Sequence, residues 1–257
     1  MYLGVCDGHG LLGQDVSGYL INNLPLSLQQ KFINENNTDI SNLELSIICK
    51  NLTEIFTKTN KDLTLNKKID TKLSGSTCTS LICTPSRLIS ANVGDSRCVL
   101  GRFDGKKWKA KNLTHDHKPS VAKERQRILQ CNGRVESCRD EDGDYVGPER
   151  VWLKNQNIPG LAMSRSFGDE TAHLVGVTAE PEIIDYHFLH EDKFLILASD
   201  GIWEFISSDE CVRIVKDYYL KQDIEGAMNY LYKESSKRWM MEEESIDDIA
   251  LILVFLE

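Results

Sequence analysis

The chain has 257 residues, and 30 lysine and arginine residues stand against 39 aspartate and glutamate residues, for a formal charge of −9. This acidic balance argues against a nucleic-acid partner or an anionic membrane bound through bulk charge. The apolar fraction of 41% is ordinary for a globular protein, and no apolar run approaches the ~20 residues that span a bilayer.

The eight cysteines are scattered, mostly within apolar runs, and no two are spaced as Cys-x-x-Cys. Because zinc ligands typically come in such pairs, the spacing argues against a zinc site. We expect free thiols that pack as small core residues in a reducing compartment. The opening residues also lack the basic start of a signal peptide, so we expect an intracellular protein, cytoplasmic or nuclear.

The first elements predicted along the chain are one strand and two helices. Residues 2–6 form a short apolar run, typical of a strand, that stops at Asp7-Gly8. Residues 14–33 have helical spacing, and Pro25 is expected to break or kink that helix. A second amphipathic helix is predicted over residues 40–63.

Short β-type runs dominate the middle of the sequence, at residues 74–83, 87–93 and 97–103, and Asp104-Gly105 signals a hairpin. Residues 119–133 are predicted to form a helix, with a proline at its start and a glycine at its end. The polar residues 136–160 that follow are interpreted as a long irregular loop or a small subdomain.

The last part of the chain alternates strands and helices. Strands are predicted at "EIIDYHF", "KFLILAS" and "DIALILVFL", and a helix begins at the capping box formed by Ser207 and Glu210, with another over residues 223–238. Helices therefore cluster early and late around a block of strands, without regular βαβ alternation. This order predicts an α+β fold with largely antiparallel sheets.

Two of the four Asp-Gly pairs differ from ordinary turns, because Asp7 and Asp200 each follow an apolar β run. A carboxylate at the exit of a buried strand is desolvated and needs a cation or strong hydrogen bonds to stay charged. Asp247 stands just ahead of the last strand, and Asp116 lies between two histidines before a helix. If these acids meet, they form an oxygen-rich site suited to Mg²⁺ or Mn²⁺; the alternative for each is a turn-stabilising aspartate.

The residues beside Asp7 fit the same interpretation. Gly8 has no side chain, so its carbonyl could approach a metal closely. His9 stands out because it adjoins the strongest acid candidate, although a single histidine is more often structural than catalytic. His115 and His117 raise the alternative of zinc, but the acids outnumber the histidines and no His-x-x-x-His spacing occurs.

Seven segments resemble, in family order from residue 2 to residue 256, the metal-dependent protein phosphatases of type 2C: "VCDGHG", "SGSTCTSLIC…LISANVGDSRCVLGR", "LTHDHKPSVAKERQRILQCNGRV", "LAMSRSFGD", "VTAEPEI", "FLILASDGIWE" and "SIDDIALILV". The resemblance implies a four-layer αββα sandwich, in which two central, mainly antiparallel sheets are flanked by helices. It also implies that residues 1–257 form a single catalytic domain, with a flap-like region at about 136–160.

Carried over residue by residue, the resemblance implies a site for two Mg²⁺ or Mn²⁺ ions and a weaker third. Asp7 is similar to the carboxylate that bridges the two ions, and Gly8 to the residue whose carbonyl binds the second. Asp200 and Asp247 resemble ligands of the first ion. Asp116 resembles the acid that helps to hold the third.

The resemblance further implies hydrolysis of phosphoserine and phosphothreonine in phosphoprotein substrates, by direct attack of a water that bridges the metals. His9 resembles the general acid that protonates the leaving oxygen. No Cys-x5-Arg loop is present, so a covalent phosphocysteine route is not expected. We expect a monomer without nucleic-acid or membrane partners.

The sequence departs from the family pattern in front of the DGHG segment. There the family has an arginine that binds phosphate and a Glu-Asp pair near the second metal, and no residue before Met1 supplies them. The sequence is either truncated relative to an active phosphatase or a natural short form with a weakened second metal site. The strand at residues 2–6 is accordingly expected to lie beside an unpaired sheet edge.

Smaller departures are Asp248 in place of the family's usual asparagine and Leu11 in place of its usual glycine. The alternative function is a catalytically impaired phosphatase-like module that acts as a binding or regulatory partner. The retained acids Asp7, Asp200 and Asp247 favour the enzyme. A metal-binding structural domain would explain neither His9 nor an open oxygen-rich site.

Overall fold

The structure is a computed structural model that describes residues 1–35 and 40–256. Its strands are β1 Tyr2–Val5, β2 Gly8–His9, β3 Gly75–Ser76, β4 Cys78–Cys83, β5 Arg87–Val93, β6 Arg97–Phe103, β7 Trp108–Asn112, β8 Gly133–Arg139, β9 Tyr145–Leu153, β10 Pro159–Leu161, β11 Phe167–Gly168, β12 Glu182–His187, β13 Asp192–Ala198 and β14 Leu251–Phe255. Its α-helices are α1 Gly13–Gln29, α2 Leu45–Thr64, α3 Ala122–Gln130, α4 Glu170–His173, α5 Asp200–Trp203, α6 Ser208–Tyr219 and α7 Ile224–Glu242.

Two four-stranded antiparallel sheets stack at the centre, with strand orders β1-β4-β5-β12 and β14-β13-β6-β7. β13 shows why its sequence is a continuous apolar run rather than an alternating one. Phe194 and Ile196 face the helices on one side, whereas Leu195 and Leu197 face the other sheet. A strand buried on both faces has no polar side, and each such side chain contributes ~1.5–3 kcal/mol by its burial.

Helices cover the outer face of each sheet. α1 and α2 bury Leu20 and Phe56 against Ile89 of β5, and α6 and α7 bury Val212 and Leu231 against β13. The predicted αββα layering of helices on two mainly antiparallel sheets is therefore confirmed. The Ser207 half of the predicted capping box is also confirmed, because the Ser207 side chain accepts a hydrogen bond from the Glu210 N–H, whereas the Glu210 carboxylate binds Arg238.

Of the break or kink expected at Pro25, the break is wrong, since α1 runs through Pro25 to Gln29 and a π-helical turn, Gln30–Glu35, follows it. Proline removes one backbone hydrogen bond, but Leu24 and Leu28 on either side of it are buried in the core, and this packing outweighs the loss. The next helix-start prediction is also displaced, because α3 begins three residues after Pro119.

Of the two alternatives for residues 136–160, the irregular loop is wrong, whereas the small subdomain agrees with the structure. Residues 133–161 contain a three-stranded antiparallel sheet, β10-β9-β8. One face packs Val135 and Val151 against Ile128 of α3, while much of the rest is exposed. Because few apolar residues mark the buried face, the alternation that identifies a strand is weak here.

Three further expectations concern the whole chain. β1 lies at one end of its sheet's strand order, as expected for an edge strand. All eight cysteines are free thiols, as predicted, but only Cys78, Cys98 and Cys211 are buried as core residues, and Cys131 is exposed. None of the helices within residues 1–35 and 40–256 has both the length and the apolar character needed to cross a bilayer.

Candidate active site

Asp7 lies at the exit of β1 and is held there by its backbone. The Asp7 N–H donates to Thr77 Oγ1 at 3.1 Å, and the Thr77 N–H donates to the Asp7 carbonyl oxygen at 2.8 Å. The Thr77 hydroxyl also hydrogen-bonds to Ser96 Oγ at 2.8 Å. These contacts fix the position of the Asp7 carboxyl group relative to the turn that follows β5.

Asp200 and Asp247 approach one another through Ser199, the residue after β13. Ser199 Oγ donates to the Asp248 carbonyl oxygen at 3.0 Å and accepts from the Ala250 N–H at 3.0 Å. Ser199, which directly precedes Asp200, is thus hydrogen-bonded to Asp248, which directly follows Asp247. Two neighbouring antiparallel strands therefore deliver both carboxylates to the same sheet edge.

The acids Asp7, Asp200, Asp247 and Asp95 form one cluster, in which a hydrogen bond joins Asp7 to Asp200. Burial raises the pKa of Asp7, and the charges of the neighbouring acids raise it further. The pKa of Asp200 is raised for the same reasons, with Asp95 the strongest of its charged neighbours. When several carboxylates lie this close together without a cation, two of them can share a proton, which removes one negative charge from the cluster.

This cluster agrees with the chemistry of a hard divalent cation. All the side-chain atoms that could bind a metal here are oxygens. The raised pKa values of Asp7 and Asp200 reflect repulsion between carboxylates, which a bound cation would remove. Among the described residues, no three His, Cys, Asp or Glu side chains are already arranged around an ion-sized centre. The carboxyl groups here bond to each other instead.

Asp95 was quoted within a motif in the sequence analysis but was not singled out as a site residue. It is 2% exposed, and Lys118 Nζ lies 2.6 Å from its Oδ2. The signal that could have found it is the one used for Asp7 and Asp200, since it follows the apolar strand β5. Its turn has the order Gly-Asp rather than Asp-Gly, which hid the similarity.

Asp116 has a different partner from the one expected of a metal ligand. Its Oδ1 accepts from Arg97 Nε at 2.8 Å, and its Oδ2 accepts from Arg97 Nη2 at 2.6 Å. Arg97 also donates to Ser208 Oγ at 3.0 Å at the start of α6. Because a guanidinium engages both oxygens, the role of Asp116 at a third ion stays a prediction, and the geometry favours Asp95.

His9 follows on the short strand β2, and its side chain is 25% exposed. Its Nε2 donates to Oδ2 of the buried Asp169 at 2.6 Å, whereas Nδ1 is buried without a hydrogen-bond partner among the described residues. Burial lowers the pKa of His9, but the hydrogen bond and charge of Asp169 outweigh it and raise the pKa overall. The ring therefore favours the protonated form, which a proton donor requires.

Gly8 is required by packing, whatever its carbonyl binds. A Cβ at Gly8 would lie 2.2 Å from the carbonyl oxygen of Gly13, the first residue of α1. The two glycines allow α1 to begin directly against the backbone that joins Asp7 to His9. Gly8 directly follows Asp7 of the cluster, and the role of its carbonyl at a metal stays a prediction.

A cleft of about 640 Å³ extends from the carboxylate cluster to the three-stranded sheet. Asp200, Asp247 and Lys118 lie on one side of the cleft, and residues 146–150 of β9 lie on the other. The region predicted to be flap-like therefore forms a wall of the cleft. A phosphorylated side chain entering it would have acids at one end and β9 beside it.

The turn that carries Asp95 is held by His117, which is 3% exposed. His117 Nδ1 accepts from the Gly94 N–H at 3.1 Å, and the His117 N–H donates to the Gly94 carbonyl oxygen at 3.0 Å. Burial, reinforced by the charge of Arg165, lowers the pKa of His117 from 6.5 to about 3. The folded protein thus requires this ring to be neutral.

Acidification is therefore expected to destabilise the fold through His117. Its folded pKa lies below its unfolded pKa, so its contribution is complete above pH 6.5 and is lost as the pH falls towards about 3. The free energy of unfolding should fall by at most about 1.4 kcal/mol per pH unit. We expect His117→Asn, which keeps an acceptor for the Gly94 N–H, to lose the part of the pH dependence of the unfolding free energy that His117 contributes. Urea denaturation in EDTA at several pH values measures the difference, and equal slopes in both proteins would contradict the prediction.

Comparison with known proteins agrees with this geometry. The sequence profile of the family described as protein phosphatase 2C matches residues 1–238. The chain is 39% identical to probable protein phosphatase 2C 72 of Arabidopsis thaliana, over 99% of this chain and 76% of that protein. It is 33% identical to probable protein phosphatase 2C 65 of the same plant, over 100% of this chain and 68% of that protein.

The fold is similar to the crystal structure of a serine-threonine phosphatase 2C from Toxoplasma gondii, with a TM-score of 0.75 at 18% identity. That superposition covers 100% of this chain and 84% of the other. The family profile, the similarity to the plant proteins and the shared fold lead to one conclusion. The chain belongs to the protein phosphatase 2C family and is a protein serine/threonine phosphatase.

Proposed function

We propose that residues 1–257 form one catalytic domain, which hydrolyses phosphoserine and phosphothreonine in phosphoproteins with the help of Mg²⁺ or Mn²⁺. The observation that carries this proposal is the cluster of four acids, in which Asp7 and Asp200 share a hydrogen bond and have raised pKa values. If these four acids had only a structural role, neutral or apolar residues in their places would make the fold more stable. The clustering of these acids therefore supports a bound cation.

The residues that would hold two ions are Asp7, the carbonyl of Gly8, Asp200 and Asp247, and Asp95 is the candidate for a weaker third. Bound there, Mg²⁺ or Mn²⁺ would supply Lewis-acid activation of water and neutralisation of phosphoryl charge. Lys118 Nζ lies 2.6 Å from Asp95 Oδ2, and this ion pair holds the carboxylate in place.

His9 is proposed to donate a proton to the oxygen of the departing serine or threonine. Its position next to Asp7 and Gly8 puts the ring beside the cluster, and its raised pKa keeps the proton available near neutral pH. The cleft between β9 and the cluster would accept the phosphorylated side chain and its neighbouring residues. β9 is thereby proposed to contact the substrate.

Metal removal tests the proposal directly. With p-nitrophenyl phosphate or a phosphothreonine peptide, we expect about 10³-fold more activity in Mn²⁺ than in EDTA. Mn²⁺ should also raise the melting temperature, because it binds the folded cluster and relieves carboxylate repulsion. A KCl control of equal ionic strength should do neither.

The alternative, a catalytically impaired module, predicts another result. The protein could stay inactive in saturating Mn²⁺ while Mn²⁺ still raises its melting temperature. That result would support the catalytically impaired module and contradict the proposal that this chain hydrolyses phosphoproteins. If Mn²⁺ changes neither property, the proposed metal site itself is wrong.

A further inference from the structure

Three very short strands form a small antiparallel sheet beside the acid cluster, in the order β11-β3-β2. In its register, Gly75 of β3 is opposite His9 on one side and opposite Gly168 on the other. Asp169 directly follows Gly168. The sheet therefore brings His9 and Asp169 to the same place from positions 160 residues apart in the chain.

Gly75 leaves the space that the Asp169 carboxylate occupies. A Cβ at position 75 would lie 2.2 Å from Asp169 Oδ2 and 2.5 Å from the Phe167 carbonyl oxygen. Any side chain there would displace the carboxylate from His9. The central strand of this sheet is thus shaped around the contact between Asp169 and His9.

Asp169 is also fixed by its backbone. It is 2% exposed and has a φ of 43°, in the left-handed region that costs most residues about 1 kcal/mol or more. Its N–H donates to the Ser74 carbonyl oxygen at 3.0 Å, and its own carbonyl oxygen accepts from the Ala172 N–H at 2.8 Å. These backbone hydrogen bonds hold the buried Asp169 carboxylate in position next to the His9 ring.

The ring of His9 is accordingly held through one nitrogen only. Nε2 bonds to Asp169 at 2.6 Å, and Nδ1 has no hydrogen-bond partner among the described residues. In acid–base sites, a carboxylate that binds one imidazole nitrogen fixes the ring orientation and leaves the other nitrogen to exchange protons. A buried carboxylate in a conformation of raised energy is unusual for a contact that only joins two strands.

We propose that Asp169 is a positioning residue, which holds Nε2 of His9 so that Nδ1 is the nitrogen that protonates the leaving oxygen. The inference rests on the proposed function of His9 as the proton donor. In the step itself, the phosphorus–oxygen bond to the leaving group breaks, water supplies the new phosphorus–oxygen bond, and the Nδ1 proton moves to the departing oxygen. Asp169 acts only through His9 and forms or breaks no bond to the phosphate group.

The first test uses leaving groups of different quality with Asp169→Asn. A poor leaving group needs the proton more than a good one does. With saturating Mn²⁺, we expect kcat on phenyl phosphate to fall by about 10²-fold, kcat on p-nitrophenyl phosphate to fall much less, and KM to stay within about twofold on both. An equal loss on both esters would indicate a structural role and overturn the proposal.

A double-mutant cycle tests whether Asp169 acts through His9. Asp169→Asn combined with His9→Gln should be no slower on phenyl phosphate than His9→Gln alone, because the second change removes the group that Asp169 positions. Multiplied losses in the double variant would contradict the inference. Asp185→Asn is the matched control, because Asp185 pairs with Arg87 on β5 and lies outside the site; it should leave the ratio of the two esters unchanged.

A spectroscopic measurement needs neither metal nor a stable variant. In the metal-free wild-type protein with ¹⁵N-labelled histidine, we expect a downfield Nε2-bound proton on His9, the signature of a hydrogen bond to a carboxylate. If His9 carries no such proton, the positioning role is wrong even where phosphatase activity is normal. If the signal is present but wild type is inactive with Mn²⁺ on both esters, the proposed function falls, and the catalytic role inferred for Asp169 falls with it.

Discussion

Asp200→Asn is expected to remove nearly all phosphatase activity and, at the same time, to make the metal-free protein more stable. The carboxylate at the end of β13 is destabilised by its burial and by the charges of Asp95 and Asp247, and the hydrogen bond to Asp7 offsets only part of this. At neutral pH an uncharged amide relieves this repulsion, which we expect to raise the free energy of unfolding in EDTA by about 1–2 kcal/mol. The same amide is a poor ligand for a hard cation, so activity should fall by about 10³-fold.

The two effects have opposite signs, so they separate loss of the site from loss of the fold. Differential scanning fluorimetry in EDTA and in Mn²⁺ would measure the first, and p-nitrophenyl phosphate turnover the second. Asp217→Asn, an identical change on the exposed face of α6, should alter neither. An Asp200→Asn protein that is less stable than wild type in EDTA would show that the acids are not in a repulsive cluster.

Gly201→Ala is expected to have the second largest effect, on both stability and metal binding. A Cβ at Gly201 would lie 2.4 Å from the Asp248 carbonyl oxygen. That carbonyl accepts the Ser199 hydrogen bond that brings Asp247 next to Asp200. Because the obstacle is backbone, it cannot rotate away, and we expect a cost of about 2–3 kcal/mol in unfolding free energy. The displaced Asp247 should also weaken Mn²⁺ affinity.

Urea denaturation and Mn²⁺ titration of Gly201→Ala measure these two effects. Gly18→Ala provides the matched control, because Gly18 lies inside α1 and a Cβ there would meet nothing within 4 Å. Alanine favours the helix over glycine, so the control should gain about 0.5–1 kcal/mol and keep its Mn²⁺ affinity. If Gly201→Ala binds Mn²⁺ as tightly as wild type, Gly201 does not position Asp247.

Local patterns were sufficient to predict an α+β fold with largely antiparallel sheets and most of the acids in the cluster, and the family resemblance implied the layers. Asp7 and Asp200 each follow a run of apolar residues, and a strand buried on both faces produces such a run whatever its partners are. Motif order then predicted that these strands belong to one core. The patterns failed where burial is one-sided or weak, as in residues 136–160, and at Pro25, where packing overrides the local preference.

The choice of Asp116 and the omission of Asp95 have a common cause. Both acids stand near apolar segments in the sequence, and no local feature says which basic residue pairs with each of them. The structure distinguishes them because Arg97 binds both oxygens of Asp116, whereas Lys118 binds Asp95 within the cluster. Ion pairs between distant residues depend on how strands are registered, which a single sequence does not reveal.

The sequence by itself predicted an α+β fold, the acids at the ends of β1 and β13, and a family resemblance that implied the αββα layers, because each motif behind these predictions is a run of contiguous residues. Only the tertiary structure decided that Asp95 joins the cluster, that β8, β9 and β10 form a wall of the cleft, and that Asp169 holds His9. Those relations join residues up to 160 positions apart and depend on the space left by Gly75. The close approach of the Asp169 carboxylate to the Gly75 backbone depends on how distant strands pack, and the spacing of residues along the chain does not predict it.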